Sequence, residues 1–170
     1  MHKNSRLLFE KYALRYFSNK SKVLEMGPAG DPTSYEVLAP HAFWYTAGLC
    51  SDVFRGLNTE LNFATIDGVK FPGIERNAFD IVVSGQVLEH VEYPWLWFAE
   101  IARIVRRGGY VITTVPISRK YHEAPIDCWR IYPDGMKALH HWAGLKTILA
   151  VVDCLDGDNW DTIAVARKGQ

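Results

Sequence analysis

The chain has 170 residues, of which 48% are hydrophobic, 13% aromatic and 22% charged, ample material for one core and far from the composition of a disordered chain. Its 19 Lys and Arg balance 19 Asp and Glu, so no net charge draws it toward nucleic acid or an anionic membrane. No apolar run approaches the roughly 18 residues of a membrane span, and Lys3, Arg6, Glu10, Lys11 and Arg15 break up any leader-type core, which predicts one soluble, cytoplasmic domain over residues 1–170 with neither a nucleic-acid nor a membrane partner.

Short apolar runs alternate with Gly and Pro punctuation, without repeats or low-complexity tracts. An amphipathic helix is predicted over Arg6–Phe17, with Leu7, Leu8, Tyr12, Leu14 and Tyr16 available for packing. Strands follow at Lys22–Met26, Ala42–Ala47, Leu61–Ile66 and Phe79–Ser84, several apolar on both faces, as strands between two helix layers must be. Pro94–Arg106 reads as a helix: Pro94 suits its first turn, Leu96, Phe98, Ile101, Ile104 and Val105 form an apolar face, and Gly108-Gly109 terminates it. Arg103, Arg106 and Arg107 then complement the negative end of its dipole. Trp95, Trp97 and Phe98 read as core and surface cover, with Trp95 and Trp97 the first place to look for an exposed aromatic patch. A strand at Tyr110–Val115, a helix over Asp134–Ala143 and strands at Thr147–Val152 and Thr162–Ala166 complete the chain.

This alternation implies a three-layer α/β fold with right-handed crossovers. The sheet is expected to have seven strands, mostly parallel, the last strand pair adding an antiparallel edge. Ligands of such folds bind beyond the carboxyl ends of the strands, where strand order reverses, so chemistry is sought just after each strand. Cys50, Cys128 and Cys154 show no CxxC pair and no histidine at zinc-ligand spacing, so reduced thiols and no metal are expected.

The first strand runs into Gly27-Pro28-Ala29-Gly30-Asp31-Pro32, a turn whose glycines let backbone N–H groups approach a ligand. The spacing departs from G-x-G-x-x-G, which disfavours NAD, and lacks the glycine and lysine of a nucleotide-triphosphate loop. What remains is an acid at the strand end, Glu25, followed by a glycine turn. Here the chain resembles a class I S-adenosylmethionine-dependent methyltransferase. The run Phe79-Asp80-Ile81-Val82-Val83-Ser84-Gly85-Gln86-Val87-Leu88-Glu89-His90-Val91 is similar to the fourth-strand motif of the type 11 methyltransferase group, and Glu100 to Thr113, with its Glu-x-x-Arg and Arg-Gly-Gly, resembles the helix and fifth strand that follow.

The resemblance implies S-adenosylmethionine as cofactor and a Rossmann-like fold. It places Glu25, Gly27, Pro28 and Gly30 beside the methionine part, Asp67 and Gly68 beside the adenine, and Ser84, Gly85 and Gln86 along the cofactor cleft. Two features depart from the group pattern: Ala29 replaces a glycine, and no acid ends the second strand at Tyr45-Thr46-Ala47-Gly48 to hold the ribose hydroxyls, Asp52 being the nearest substitute.

The segment after the fifth strand, Pro116 to Pro133, is dense in polar side chains and sits where a substrate belongs. A His…Pro-x-Asp-x-x-Arg stretch like that of some relatives carries over as His122, Pro125, Asp127 and Arg130. A sulfonium donor needs mainly in-line alignment, and a base only for a protonated acceptor, which makes His122 and His90 the candidates, His122 favoured by its loop. Arg130 can clamp an acidic substrate and Asp127 orient either partner; equally, the two can form an ion pair that pins the loop.

The expected function is methyl transfer to a small-molecule or glycan-type acceptor, with a homo-oligomer as an open arrangement. The alternative is a non-catalytic scaffold that keeps the fold; a nicotinamide dehydrogenase ranks third.

Overall fold

The computed structural model describes residues 3–49, 61–65 and 67–170. In chain order the elements are α1 (Lys3–Tyr12), β1 (Lys22–Met26), β2 (Phe43–Leu49), β3 (Phe63–Thr65), β4 (Phe79–Gly85), α2 (Pro94–Ile104), β5 (Val105–Pro116), α3 (Pro133–Trp142), β6 (Leu145–Asp153) and β7 (Asp161–Lys168). They form a 7-stranded sheet in the order β3-β2-β1-β4-β5-β7-β6. All pairs from β3 to β5 are parallel, and β7 runs antiparallel to both β5 and β6. The reversed strand therefore lies one place inside the edge, which β6 occupies. A short connection between β6 and β7 can join only antiparallel neighbours, whereas β5 reaches β6 through α3 and keeps its direction.

The pleat divides the core. Successive residues of a strand face opposite sides of the sheet, so Leu24, Met26, Val82 and Val111 pack with Trp97, Phe98 and Ile101 of α2. On the other face Val23, Ile81, Val83 and Ile112 pack with Phe9 of α1 and Tyr35. Trp97 and Phe98 are fully buried, while Trp95 is 38% exposed, so the expected aromatic patch loses Trp97. Among the described residues no helix is long and apolar enough to cross a membrane.

Three expectations need correction. The first helix begins earlier, at Lys3, and ends at Tyr12, a short 3-10 turn at Leu14–Tyr16 completing the segment. The second helix stops at Ile104 and β5 starts at once, so Gly108 and Gly109 lie inside a strand. There they make an irregularity: Phe79 pairs with Val105 but Ile81 with Tyr110, and a Cβ on Gly109 would lie 2.5 Å from the Asp80 carbonyl oxygen. The arginines do not serve the helix dipole either. Arg103 pairs with Glu100 and donates to the carbonyl of Ile74 at 2.7 Å, Arg106 pairs with Asp80, and Arg107 reaches the carbonyl of Gln170 at 2.6 Å. Lys168 of β7 instead donates to the carbonyls of Ala102 and Val105 at the helix end.

On α3, His140 is fully buried against Phe98, its Nδ1 2.9 Å from Thr147 Oγ1 and its Nε2 without a partner among the described residues. Burial disfavours the imidazolium and pushes its pKa down from 6.5 to about 4. The unfolded chain therefore takes up this proton first. The contribution to stability is complete above pH 6.5 and is lost as pH falls toward about 4. Urea unfolding of His140→Gln and the parent chain, compared at pH 7 and near pH 4, should show the difference moving in the variant's favour by up to about 3 kcal/mol on acidification.

Candidate active site

The carboxyl ends of β1, β2 and β4 stand side by side, with Met26 paired to Ala47 on one flank and to Ser84 on the other. The end of β2 itself and the chain that follows β1, β3, β4 and β5 line a cleft of about 230 Å³. Gly27, Gly48, Asp67, Gly68, Val87, His90, Trp97, Pro125 and Ile126 are among its lining residues. Gly27 turns the chain at φ +65 while its N–H donates to the Ala47 carbonyl at 2.8 Å, and a Cβ there would lie 2.4 Å from Val87 Cγ2. Only glycine meets both conditions. Asp67 shapes the lip after β3: its Oδ1 accepts from the N–H groups of Val69 at 2.9 Å and Lys70 at 2.8 Å and from Thr65 Oγ1 at 3.0 Å. These bonds hold the carboxyl below its ordinary pKa, so it is charged at neutral pH.

Other predicted cofactor residues lie behind the cleft rather than along it. Glu25 is buried, accepts from the Thr33 hydroxyl, and is pushed up to about 7 by its burial. Pro28 is buried and Gly30 exposed on the loop that follows. Ser84 is buried with no partner for its hydroxyl among the described residues. Gln86, at φ +58, sends its amide away from the cleft to Ser5 Oγ at 2.9 Å and Asp161 Oδ1 at 3.2 Å, tying α1 to the start of β7. Asp52 and Cys50 lie outside the described residues.

The four proposed catalytic residues are brought together. Asp127 holds Arg130 through two bonds of 2.6 and 2.8 Å and accepts the backbone N–H of His122 at 2.7 Å. Arg130 also donates to the carbonyls of Arg119 at 3.2 Å and Lys120 at 3.2 Å, closing the loop on itself. The His90 and His122 rings meet edge to face at 5.0 Å. His90 lines the cleft, whereas His122 lines an outer groove with Ser118, Lys120 and Asn159. The ion pair thus pins the loop, and its pinning is what presents His122. Glu89, which the sequence reading passed over inside its Leu-Glu-His run, lies beneath them with a fully buried carboxyl; desolvation pushes it up to about 8.

Residues 48–113 match the family model described as a methyltransferase domain. Over that stretch the chain is similar to methyltransferase domains. No curated protein matches the chain by sequence. Solved structures share the methyltransferase fold at low identity. A methyltransferase of Methanosarcina mazei, described as dependent on S-adenosylmethionine, is 12% identical with a TM-score of 0.65, covering 91% of this chain and 95% of its own. The Burkholderia thailandensis 1,6-didemethyltoxoflavin-N1-methyltransferase, solved with its acceptor and S-adenosylhomocysteine, is 10% identical with a TM-score of 0.65 over 99% of this chain and 78% of its own. The cyclase SpnF is 17% identical with a TM-score of 0.68 over 97% and 79%. A cyclase on this architecture shows that the fold alone does not fix the chemistry, which has to be argued from the site.

The lining of the cleft is compatible with S-adenosylmethionine. Gly27, Gly48 and Gly68 leave backbone without side chains in the lining, and the charged Asp67 lies beside them. Replacing Gly27 by Ala forces Val87 inward and strains a positive φ. Calorimetric titration of Gly27→Ala with S-adenosylmethionine should show at least about tenfold weaker binding, a loss of about 1.4 kcal/mol, in a chain that still folds.

Proposed function

We propose that the chain is an S-adenosylmethionine-dependent methyltransferase that moves a methyl group onto a small-molecule acceptor, a hydroxyl of a metabolite or glycan-type compound, seated at the mouth of the cleft. The observation that carries the reading is the shared wall: Gly27, Asp67 and Gly68 face the same cavity as His90, Pro125 and Ile126 of the acceptor side. Acceptor and cofactor thus meet in one space rather than in two. The acceptor and S-adenosylhomocysteine bound together in the Burkholderia thailandensis enzyme lend support.

When bound, S-adenosylmethionine supplies a methyl group already activated by its sulfonium leaving group. The chain's own residues then orient, dry and deprotonate. Gly27 and Gly68 let the backbone close on the cofactor, and Asp67 accepts hydrogen bonds at its outer end. Trp97 and Val91 keep the inner wall apolar, which excludes competing water. A hydroxyl acceptor loses its proton as the carbon–oxygen bond forms, and the proton is drawn off at the His90–His122 pair, the polar ring system nearest the cleft mouth. Asp127 and Arg130 act through His122 by fixing its loop and are positioning residues.

Formation of S-adenosylhomocysteine is followed over a panel of small hydroxyl acceptors, alongside calorimetry. The parent chain should bind S-adenosylmethionine. His122→Gln should bind it equally well and lose about a hundredfold in turnover, and Asp67→Ala should weaken binding by about 1–3 kcal/mol. A parent chain without affinity for the cofactor would overturn the reading.

A further inference from the structure

Three ligand-type side chains converge beside the cleft from two loops. Glu89 and His90 come from the short 3-10 turn after β4, and His122 from the loop after β5. Each offers one ligand atom, and the three atoms lie within 4.8 Å of one another. His90 Nε2 is 3.7 Å from Glu89 Oε1.

The surroundings prepare these atoms. The Glu89 side chain is 0% exposed, and neither carboxyl oxygen has a hydrogen-bond partner among the described residues. A carboxyl so placed lacks the bonds that burial demands. The imidazoles are held from behind. His90 Nδ1 faces the Ile126 carbonyl, and His122 Nδ1 faces the Lys120 carbonyl at 3.1 Å and Asp127 Oδ2 at 3.4 Å. With the proton on Nδ1 in each ring, Nε2 keeps a free lone pair; metal-binding histidines are oriented in this way by a carbonyl or carboxylate on the other nitrogen. The loops are also joined, since the Glu89 carbonyl accepts from the N–H groups of Cys128 at 2.7 Å and Trp129 at 3.3 Å. Arg130 is paired with Asp127, which leaves Glu89 as the acid able to become a cation's anionic ligand.

We propose that Glu89, His90 and His122 bind one divalent transition-metal ion of the zinc class. Two imidazoles and one carboxylate suit zinc, cobalt or iron(II), whereas magnesium and calcium prefer oxygen ligands throughout. Three protein ligands leave a coordination position open, the arrangement of catalytic rather than structural zinc. Binding of the ion stands on these residues alone, but its role rests on the methyl-transfer reading. An ion held there would lower the pKa of an acceptor hydroxyl; both histidines would then be ligands instead of the base, and the proton would pass to solvent. Cysteine spacing could not reveal such a site, because its ligands come from two loops far apart in the sequence.

The full chain, stripped with a chelator and returned to chelator-free buffer, is titrated with Zn²⁺ by calorimetry and with Co²⁺ by visible absorption. One equivalent should bind, with cobalt bands of a low-coordinate nitrogen and oxygen site. Glu89→Gln, His90→Gln and His122→Gln should each weaken zinc binding by about tenfold or more. His122→Gln alters a half-buried loop residue and keeps the test valid if the buried Glu89→Gln fails to fold. S-adenosylmethionine affinity is measured on the same samples. Zinc binding without cofactor binding would retain the metal site and remove the proposed function; cofactor binding without zinc would do the reverse. Zinc bound equally by all three variants would sit on other groups, such as the exposed His41 and His141, and would overturn the proposal.

Discussion

Parallel pairing of β1 with β2 on one side and β4 on the other is the constraint from which the site follows. The chain winds outward from β1 to β3, then returns across the sheet to lay β4 on β1's free edge. Loops leaving β1 and β4 must part in opposite directions there, and the gap between them is a crevice that no side chain has to create. Gly27 keeps that gap open, since any side chain would collide with Val87 from the facing loop. The cleft lining joins apolar groups such as Trp97 of α2 to the polar His90 of the turn after β4.

Much of this architecture was written locally. β1 coincides with its apolar run, and β4, α2 and α3 fall within a residue or two of the boundaries set by apolar runs and prolines. The errors arose where one residue type serves two purposes. Gly108 and Gly109 look like a helix stop, yet the stop comes earlier and the glycines let β5 pass close to Asp80. Arginines following a helix look like dipole partners, but nearby carboxylates and loop carbonyls compete for them successfully.

The site was legible as a set of loops, less so as directions. Sequence position puts Gln86 at the cleft, but its positive φ and the polar groups of α1 and β7 turn the side chain outward. Glu25 sits at the expected strand end, yet burial and the Thr33 hydroxyl make it an interior group. Glu89 escaped notice because its isolation is a tertiary property: nothing in a Leu-Glu-His run tells that the carboxyl is buried without a hydrogen-bond partner. By contrast, Asp127 and Arg130 were both functional candidates and a suspected ion pair, and the geometry shows the ion pair.

The polar knot at Asp161 bears on how the molecule is assembled. Asn4 Nδ2 reaches Asp161 Oδ2 at 2.8 Å across 157 positions of chain, and Gln86 joins the same carboxylate from 75 positions away. The crossovers from β1 to β5 close short loops, whereas this knot needs the first and last elements together, and the entropy of that closure grows with loop length. High contact order of this kind slows folding. β7 is made after both strands that flank the crevice, so the Asp161 contact with Gln86 can close only once the far end of the sheet has been synthesised.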